Sequence, residues 1–442
     1  MNAGRRRLLG VAAGAVSLGL SGCSLRGDPT GEPRTAGEPT ATLGSASSMP
    51  TGTPAPANGY RYTSLTPGGN RVVDGSVDLE SVEPVDVPLD GDPRWILARP
   101  EPDGSGGEWV VVTGTGVVSA VRSRREGTRE IDVEPATVDP ETPPVLGTAG
   151  RPVLLATPEE ASTLTHPLPL GSDGLLYVRP DGTVVRERSE SRSILDIDAL
   201  PDARPRLVDD DRVALLAGAT DRYDHGVLGD GIEGGRLVVL DTTGPELRVT
   251  GGVEFRGTVA EGLAPLVAGE GATIHITESD AGSGARQVAY APTGTLLAAG
   301  PPVGRGFRWR HQLCFAPFAP DGVPELAVVR TPHIGGTVEF YRREGSELMI
   351  EATESGVSSH ALGSRVLDGG FAADVDADGR PELVVPDDAR TSLVVVSRTE
   401  DGATTTAHVP VGGRVTSNLH AVRTAEGLQV GVGRPGALRV WA

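Results

Sequence analysis

DGVPELAVV at residues 321–329 returns as DGRPELVVP at residues 378–386. In both, an acidic turn with a glycine leads straight into a run of leucine and β-branched residues, the pattern of a tight turn feeding a buried strand. Related units read as GSGGEWVVVTG (104–114), GRPVLLAT (150–157), DDRVALLAG (210–218), GEGATIHIT (269–277) and AEGLQVGVG (425–433), which makes seven copies. A recurring unit of this length signals a repeat architecture.

Each copy continues alike, with a third strand such as RLVVLD or TVEFYRR, a glycine hairpin and a fourth strand. The hairpins are RREG (124–127), RPDG (179–182), DTTG (241–244), APTG (291–294), RREG (342–345) and TEDG (399–402). Four short antiparallel strands per unit predict an all-β fold over residues 59–442, a seven-bladed β-propeller of four-stranded antiparallel blades. The last unit (LHAVRT, LQVGVG, ALRVWA) stops at Ala442 one strand short. EPVDVPLDGDPRWILAR (83–99) reads like TAHVPVGGRVTSNLHAVR (406–423), so an N-terminal strand is expected to complete that unit, close the ring and remove exposed edges. The alternatives are an open β-solenoid or a two-domain sandwich.

Composition agrees with many short strands, since aromatics are 4% while glycine (61) and proline (36) abound. A net charge of -19 excludes nucleic acid as an expected partner, because phosphate neutralisation needs clustered cations. The chain contains no lysine, and its two cysteines, Cys23 and Cys314, do not make a disulfide framework.

The N-terminus, MNAGRRRLLGVAAGAVSLGLSGCS, has a charged stretch at Arg5–Arg7 and an apolar run too short to span a bilayer, the form of a removable export signal over residues 1–23. RRRLLG resembles a twin-arginine motif, and Leu20 to Cys23 resemble a lipobox, which implies lipidation of Cys23 and a membrane contact through that anchor alone. The alternative is an ordinary secretory signal with a chance cysteine. Residues 24–58 lack large apolar side chains and read as a disordered tether. The expected location is the cell surface or the extracytoplasmic face of the membrane.

In FAADVDADGRPELVV (371–385), Asp374, Asp376, Asp378 and Glu382 put four carboxylates on one turn, with Gly379 permitting the bend. Oxygen ligands on a flexible loop suit calcium, and the carbonyl of Arg380 is a further candidate ligand. The loop resembles the calcium motif of FG-GAP and VCBS repeat propellers, including those of integrin alpha chains. The likeness is close in this unit and only partial one unit earlier, where Pro317, Ala319 and Asp321 stand at the equivalent positions. It therefore implies one calcium. A solvated acidic turn without metal is the plain alternative.

Loops expected on the opposite rim, at 221–235, 304–312, 331–336 and 358–365, carry His225, His311, His333 and His360 with Arg222, Arg308, Arg310 and Arg365. Such a cluster can hold a transition metal through imidazoles or an anionic ligand through guanidinium groups. It can equally satisfy backbone carbonyls and inter-blade ion pairs. Asp224, Asp230 and Glu233 flank His225, Trp309 stands between two arginines as a sugar platform or a plug, and Ser417 and Asn418 are candidate caps of a link. Cys314 sits on an apolar strand and reads as core.

The function expected is an extracellular binding or scaffold module with a protein or anionic glycan as ligand. The alternative is an extracytoplasmic enzyme on acidic sugars, a polysaccharide lyase or a sugar oxidoreductase. No G-x-S-x-G, H-E-x-x-H or P-loop motif favours a known enzyme class.

Overall fold

The computed structural model describes residues 59–171 and 174–442. These fall within one compact unit, Ser48–Ala442. The expectations placed on residues 1–58, the export signal, Cys23 and the tether, lie outside the described residues.

The chain is all-β and β-propeller-like, with a single 3-10 turn at Glu270–Ala272 among the described residues. Successive four-stranded antiparallel sheets follow one another along the sequence. The first is Pro93–Pro100, Gly107–Thr113, Val118–Arg124 and Gly127–Ile131. The next is Leu168–Leu170, Gly174–Val178, Thr183–Arg188 and Ser191–Asp196. Runs beginning at Arg206, Leu266, Arg310 and Phe371 repeat the pattern. The last three strands, Leu419–Thr424, Gly427–Arg434 and Ala437–Trp441, take their fourth from the start of the domain. Val85–Pro88 pairs antiparallel with Ala437–Trp441, Val85 opposite Val440 and Val87 opposite Leu438.

Second strands are buried on both faces, as in Glu382–Pro386, whereas a fourth strand such as Gly402–Pro410 is largely exposed. Alternating side chains of a second strand therefore serve two cores. Leu383 and Val385 join the core shared with the preceding unit, and Val384 joins the one shared with the following unit. The last and first units share a core as well, with Val422, Leu438 and Val440 against Ile96, Trp109 and Val111. There a Cβ on Gly431 would stand 2.3 Å from the Trp109 ring, so only glycine lets the two sheets approach.

Two expectations fail around the second unit. GRPVLLAT (150–157) is not its second strand; that strand is Gly174–Val178, and RPDG (179–182) links it to the third strand, not the third to the fourth. Pro143, Pro144, Pro152 and Pro158 around the mistaken segment remove the amide donors that a central strand needs. The segment lies outside that four-stranded sheet, near where Val145–Gly147 pairs with Tyr60–Tyr62.

A feature the repeats do not announce is the course of residues 60–79. The carbonyls of Pro67 and Gly68 accept from Leu207 and Val267 on the innermost strands of two successive units. Asn70 then exchanges hydrogen bonds of 2.8 and 3.0 Å with the backbone of Phe315, and Arg71 accepts from Ala372. Val72–Ser76 runs parallel to Phe371–Asp374. The segment thus lines the innermost strands of four consecutive units.

Candidate functional site

The turn between Phe371–Asp374 and Glu382–Pro386 is built by two left-handed residues, Ala377 (φ 63°) and Gly379 (φ 91°). Gly379 has open space around it, so its glycine serves the backbone angle and not a close approach. The backbone amide of Gly379 donates to Asp374 Oδ2 at 3.1 Å, and that of Val375 donates to Glu382 Oε2 at 2.9 Å. The turn folds back so that one ligand oxygen each from Asp374, Asp376 and Glu382 lies within 4.8 Å of the others. Among the described residues no other set of three histidine, cysteine or acidic side chains meets that condition.

The other two expected ligands behave differently. The Asp378 carboxylate accepts from the backbone amide of Arg380 at 2.8 Å and from its guanidinium at 3.0 Å, so it is held by Arg380 and stands outside the cluster. The Arg380 side chain also reaches the carbonyl of Arg398 at 3.4 Å.

Charge within the cluster is poorly compensated. Burial, then the neighbouring Asp376 and Asp378, push the Asp374 carboxyl above its ordinary range. Glu382, only 2% exposed, is pushed up to about 8, first by desolvation and then by the three aspartates. Asp374 is 8% exposed, and its Oδ1 is buried with no hydrogen-bond partner. A buried acceptor left unmatched beside two further carboxylates is the chemistry of a site for a hard cation.

The four rim histidines come together as a file. Ring centroids are 6.5 Å apart for His225 and His333, 6.1 Å for His333 and His360, and 6.3 Å for His360 and His311. They do not converge on a common point, since no three of their nitrogens satisfy the spacing met by the acidic turn. Trp309 is a plug, 1% exposed and stacked on His311 at 4.7 Å. Desolvation holds the His360 imidazole down at about 4 and lowers His333, so both stay neutral near pH 7.

His225 is oriented by Glu261, whose Oε1 meets its Nδ1 while Oε2 accepts from Ser279 Oγ at 2.5 Å. Glu261 lies in a link between sheets and carries no motif that would have singled it out. Of the acids named from sequence, Asp224 is exposed, Asp230 is taken by Arg365, and Glu233 accepts a 3.4 Å bond from Gly262. Desolvation, then Glu261, pushes Glu233 up to about 9, so it is protonated at neutral pH.

The rim arginines are mostly committed internally. Arg222 donates to the carbonyls of Phe255 and Thr258, both at 3.0 Å. Arg365 binds Asp202 at 3.1 Å and Asp230 at 2.6 Å. Arg310 is 2% exposed and pairs with Glu339 at 2.8 Å, an interior ion pair and not a rim group. Arg222 and Arg308 are the two exposed members of the four. The rim also exposes large apolar side chains, Ile232 (44%), Phe307 (54%), Ile334 (69%) and Leu362 (68%), one on each of the four loops.

Elsewhere, Asn418 does more than cap a link, since its side chain pairs with both the amide (2.8 Å) and the carbonyl (2.9 Å) of Ile96, joining the last innermost strand to the first. Cys314 is fully buried and its thiol is pushed up to about 12 by desolvation, the state of an inert core cysteine.

No protein-family model matches the chain, and no curated protein matches it. Among solved structures it is similar to BamB from Moraxella catarrhalis at 12% identity and a TM-score of 0.38, over 81% of this chain and 98% of that one. The strand pairing described above, not this likeness, carries the fold assignment.

Proposed function

We propose that the chain is an exported, lipid-anchored, seven-bladed β-propeller of the FG-GAP/VCBS type that binds one calcium ion and acts as an extracellular binding or scaffold module. The antiparallel pairing of Val85–Pro88 with Ala437–Trp441, and the core shared by the last and first units, support a ring closed by the N-terminal strand. The observation that carries the calcium assignment is the buried, unmatched Oδ1 of Asp374 beside Asp376 and Glu382. Three carboxylates supply half or nearly half of the six to eight oxygens calcium takes, and the ion would remove their mutual repulsion.

Thermal melting of the protein in millimolar calcium and in excess chelator tests this. A ligand that binds only the native state raises the melting temperature, and Asp376→Ala should erase the difference. A parent protein whose melting ignores chelator would sink the assignment.

For the ligand, the rim supports a protein over an anionic glycan. Arg222, Arg310 and Arg365 are already paired, while four loops expose one large apolar side chain each. An exposed apolar patch rimmed by polar groups suits a protein surface. Ile334→Asp combined with Leu362→Asp should abolish partner binding at unchanged melting temperature.

A second reading, an extracytoplasmic enzyme on acidic sugars, rests on His225, which Glu261 orients as a carboxylate orients a general base. Turnover of acidic polysaccharides that is lost in His225→Ala with folding retained would favour it. Absence of turnover across uronate-containing substrates would leave the binding module.

A further inference from the structure

Beneath the histidine file lies a cavity of about 20 Å³, lined among others by Arg71, Arg206, Trp309, His311 and Glu261. That is room for one occupant the size of a water molecule or a halide. Three buried guanidinium groups stand around it. Arg71, Arg204 and Arg206 are 6%, 0% and 2% exposed, and all three act on the one fully buried carboxylate of Asp368. Arg71 binds Asp368 Oδ1 at 3.0 Å through Nε, Arg204 reaches Oδ2 at 3.3 Å, and Thr63 donates to Oδ2 at 2.5 Å. Asp202 also acts on Arg204, but Arg206 pairs with no carboxylate among the described residues, its Nη1 donating to Ser64 Oγ at 3.0 Å. Desolvation accordingly pushes Arg206 down to about 9.

Three lining side chains carry a buried ring or guanidinium nitrogen that is free to donate. Arg206 Nε, Trp309 Nε1 and His311 Nε2 are each buried without a hydrogen-bond partner. His311 Nδ1 is engaged with Ser359 Oγ at 2.9 Å, and if that hydroxyl donates, the ring proton sits on Nε2. The side-chain acceptors nearby are already used: Glu261 by His225 and Ser279, and Gln312 Oε1 by Thr277 at 2.7 Å. A water molecule would bring two protons of its own and no charge. A monovalent anion accepts from every donor and gives Arg206 a counter-charge.

We propose that this cavity is a structural site for a single small anion of the halide class, coordinated by Arg206, Trp309 and His311. The anion ties Arg206, at the start of one innermost strand, to Trp309 and His311 at the floor of the rim. The site is independent of calcium and of any rim ligand.

The test uses bromide on the whole protein. Crystals soaked in sodium bromide should show one anomalous peak within the cavity. Melting temperature at constant ionic strength should be higher in bromide or chloride than in gluconate, which is too large for the cavity. Trp309→Phe keeps a ring but removes one donor, so the half-saturating bromide concentration should rise about tenfold, the equivalent of about 1.4 kcal/mol. A cavity with density but no anomalous signal, with identical melting in bromide and gluconate, would overturn the proposal in favour of a buried water. Peaks at the surface alone would mean adventitious ions only and overturn it equally, and the crystallographic readout stands even if the variant fails to fold.

Discussion

The acidic turn at 374–382 and its counterpart at 317–325 enter equivalent second strands, yet the glutamate that opens each strand meets a different environment. Glu325 is fully buried and accepts from Arg398 at 2.9 and 3.1 Å and from Arg342 at 3.3 Å. Asp321 in the same turn is held by Arg342 at 2.8 Å. Pro317 and Ala319 replace the remaining carboxylates. At Glu382 no guanidinium arrives from the described residues; its partner is one backbone amide, and its neighbours are acids. One turn carries its neutralising cation as side chains of the protein, and the other has the composition of a turn that takes a cation from solution.

That contrast is open to attack in order of expected effect. Arg398→Ala should be the most damaging change, because stranding a buried Glu325 costs about 3–5 kcal/mol, read by chemical denaturation with or without calcium. Glu382→Gln should be nearly silent in chelator, since it removes an uncompensated acid. In calcium it should forfeit the gain from the ion, about 2.7 kcal/mol at a hundredfold excess over the dissociation constant. Equal damage from the two variants in chelator would abolish the distinction between the turns.

A pH series sharpens it further. Glu382 has a folded-state value of about 8, above its ordinary 4.5, so the native state holds the proton more tightly than the unfolded chain. Without calcium, stability should be greatest below the unfolded value and decline as pH rises from about 4.5 to about 8, and Glu382→Gln should flatten the decline. Glu233, raised to about 9, contributes a slope of the same sign that this variant leaves in place. The smallest effect belongs to Arg380→Ala. Its partly exposed pair with Asp378 is worth about 0–1 kcal/mol. Freed of that partner, Asp378 can turn toward the ion, so calorimetry should record slightly tighter calcium binding.

How much of this was legible beforehand depends on whether a residue's role is local. The Asp374, Asp376 and Glu382 cluster follows from period-two spacing and a glycine, so the sequence displays it. The capture of Asp378 by Arg380 depends on a rotamer choice that spacing does not encode. Repeat matching located the turn-then-strand elements except in the second unit, where GRPVLLAT imitates the pattern but its flanking prolines deny it a ladder. The rim histidines were visible as loop residues, and their neighbourhood is real. The partners of Arg222, Arg310 and Arg365 were not visible, because Asp202, Asp230, Glu339 and the carbonyls of Phe255 and Thr258 lie on other strands and links. The course of residues 60–79 along the inner strands left no signal at all, since it repeats nothing.

The pairing of Val85 with Val440 also sets a timetable for folding. These strands meet across most of the chain, so the contact carries a large loop-closure entropy and forms late. Asp86 waits for Arg434 and Arg439, which clamp it at 2.6 to 3.1 Å and follow it by 348 and 353 residues. Until they emerge, Val85–Pro88 has an open edge and Trp109 lacks the Gly431 surface it lies against. Arg434 and the strand Ala437–Trp441 therefore act as a latch, and a nascent chain that has not yet reached them is a string of adjacent sheets with two unpaired ends.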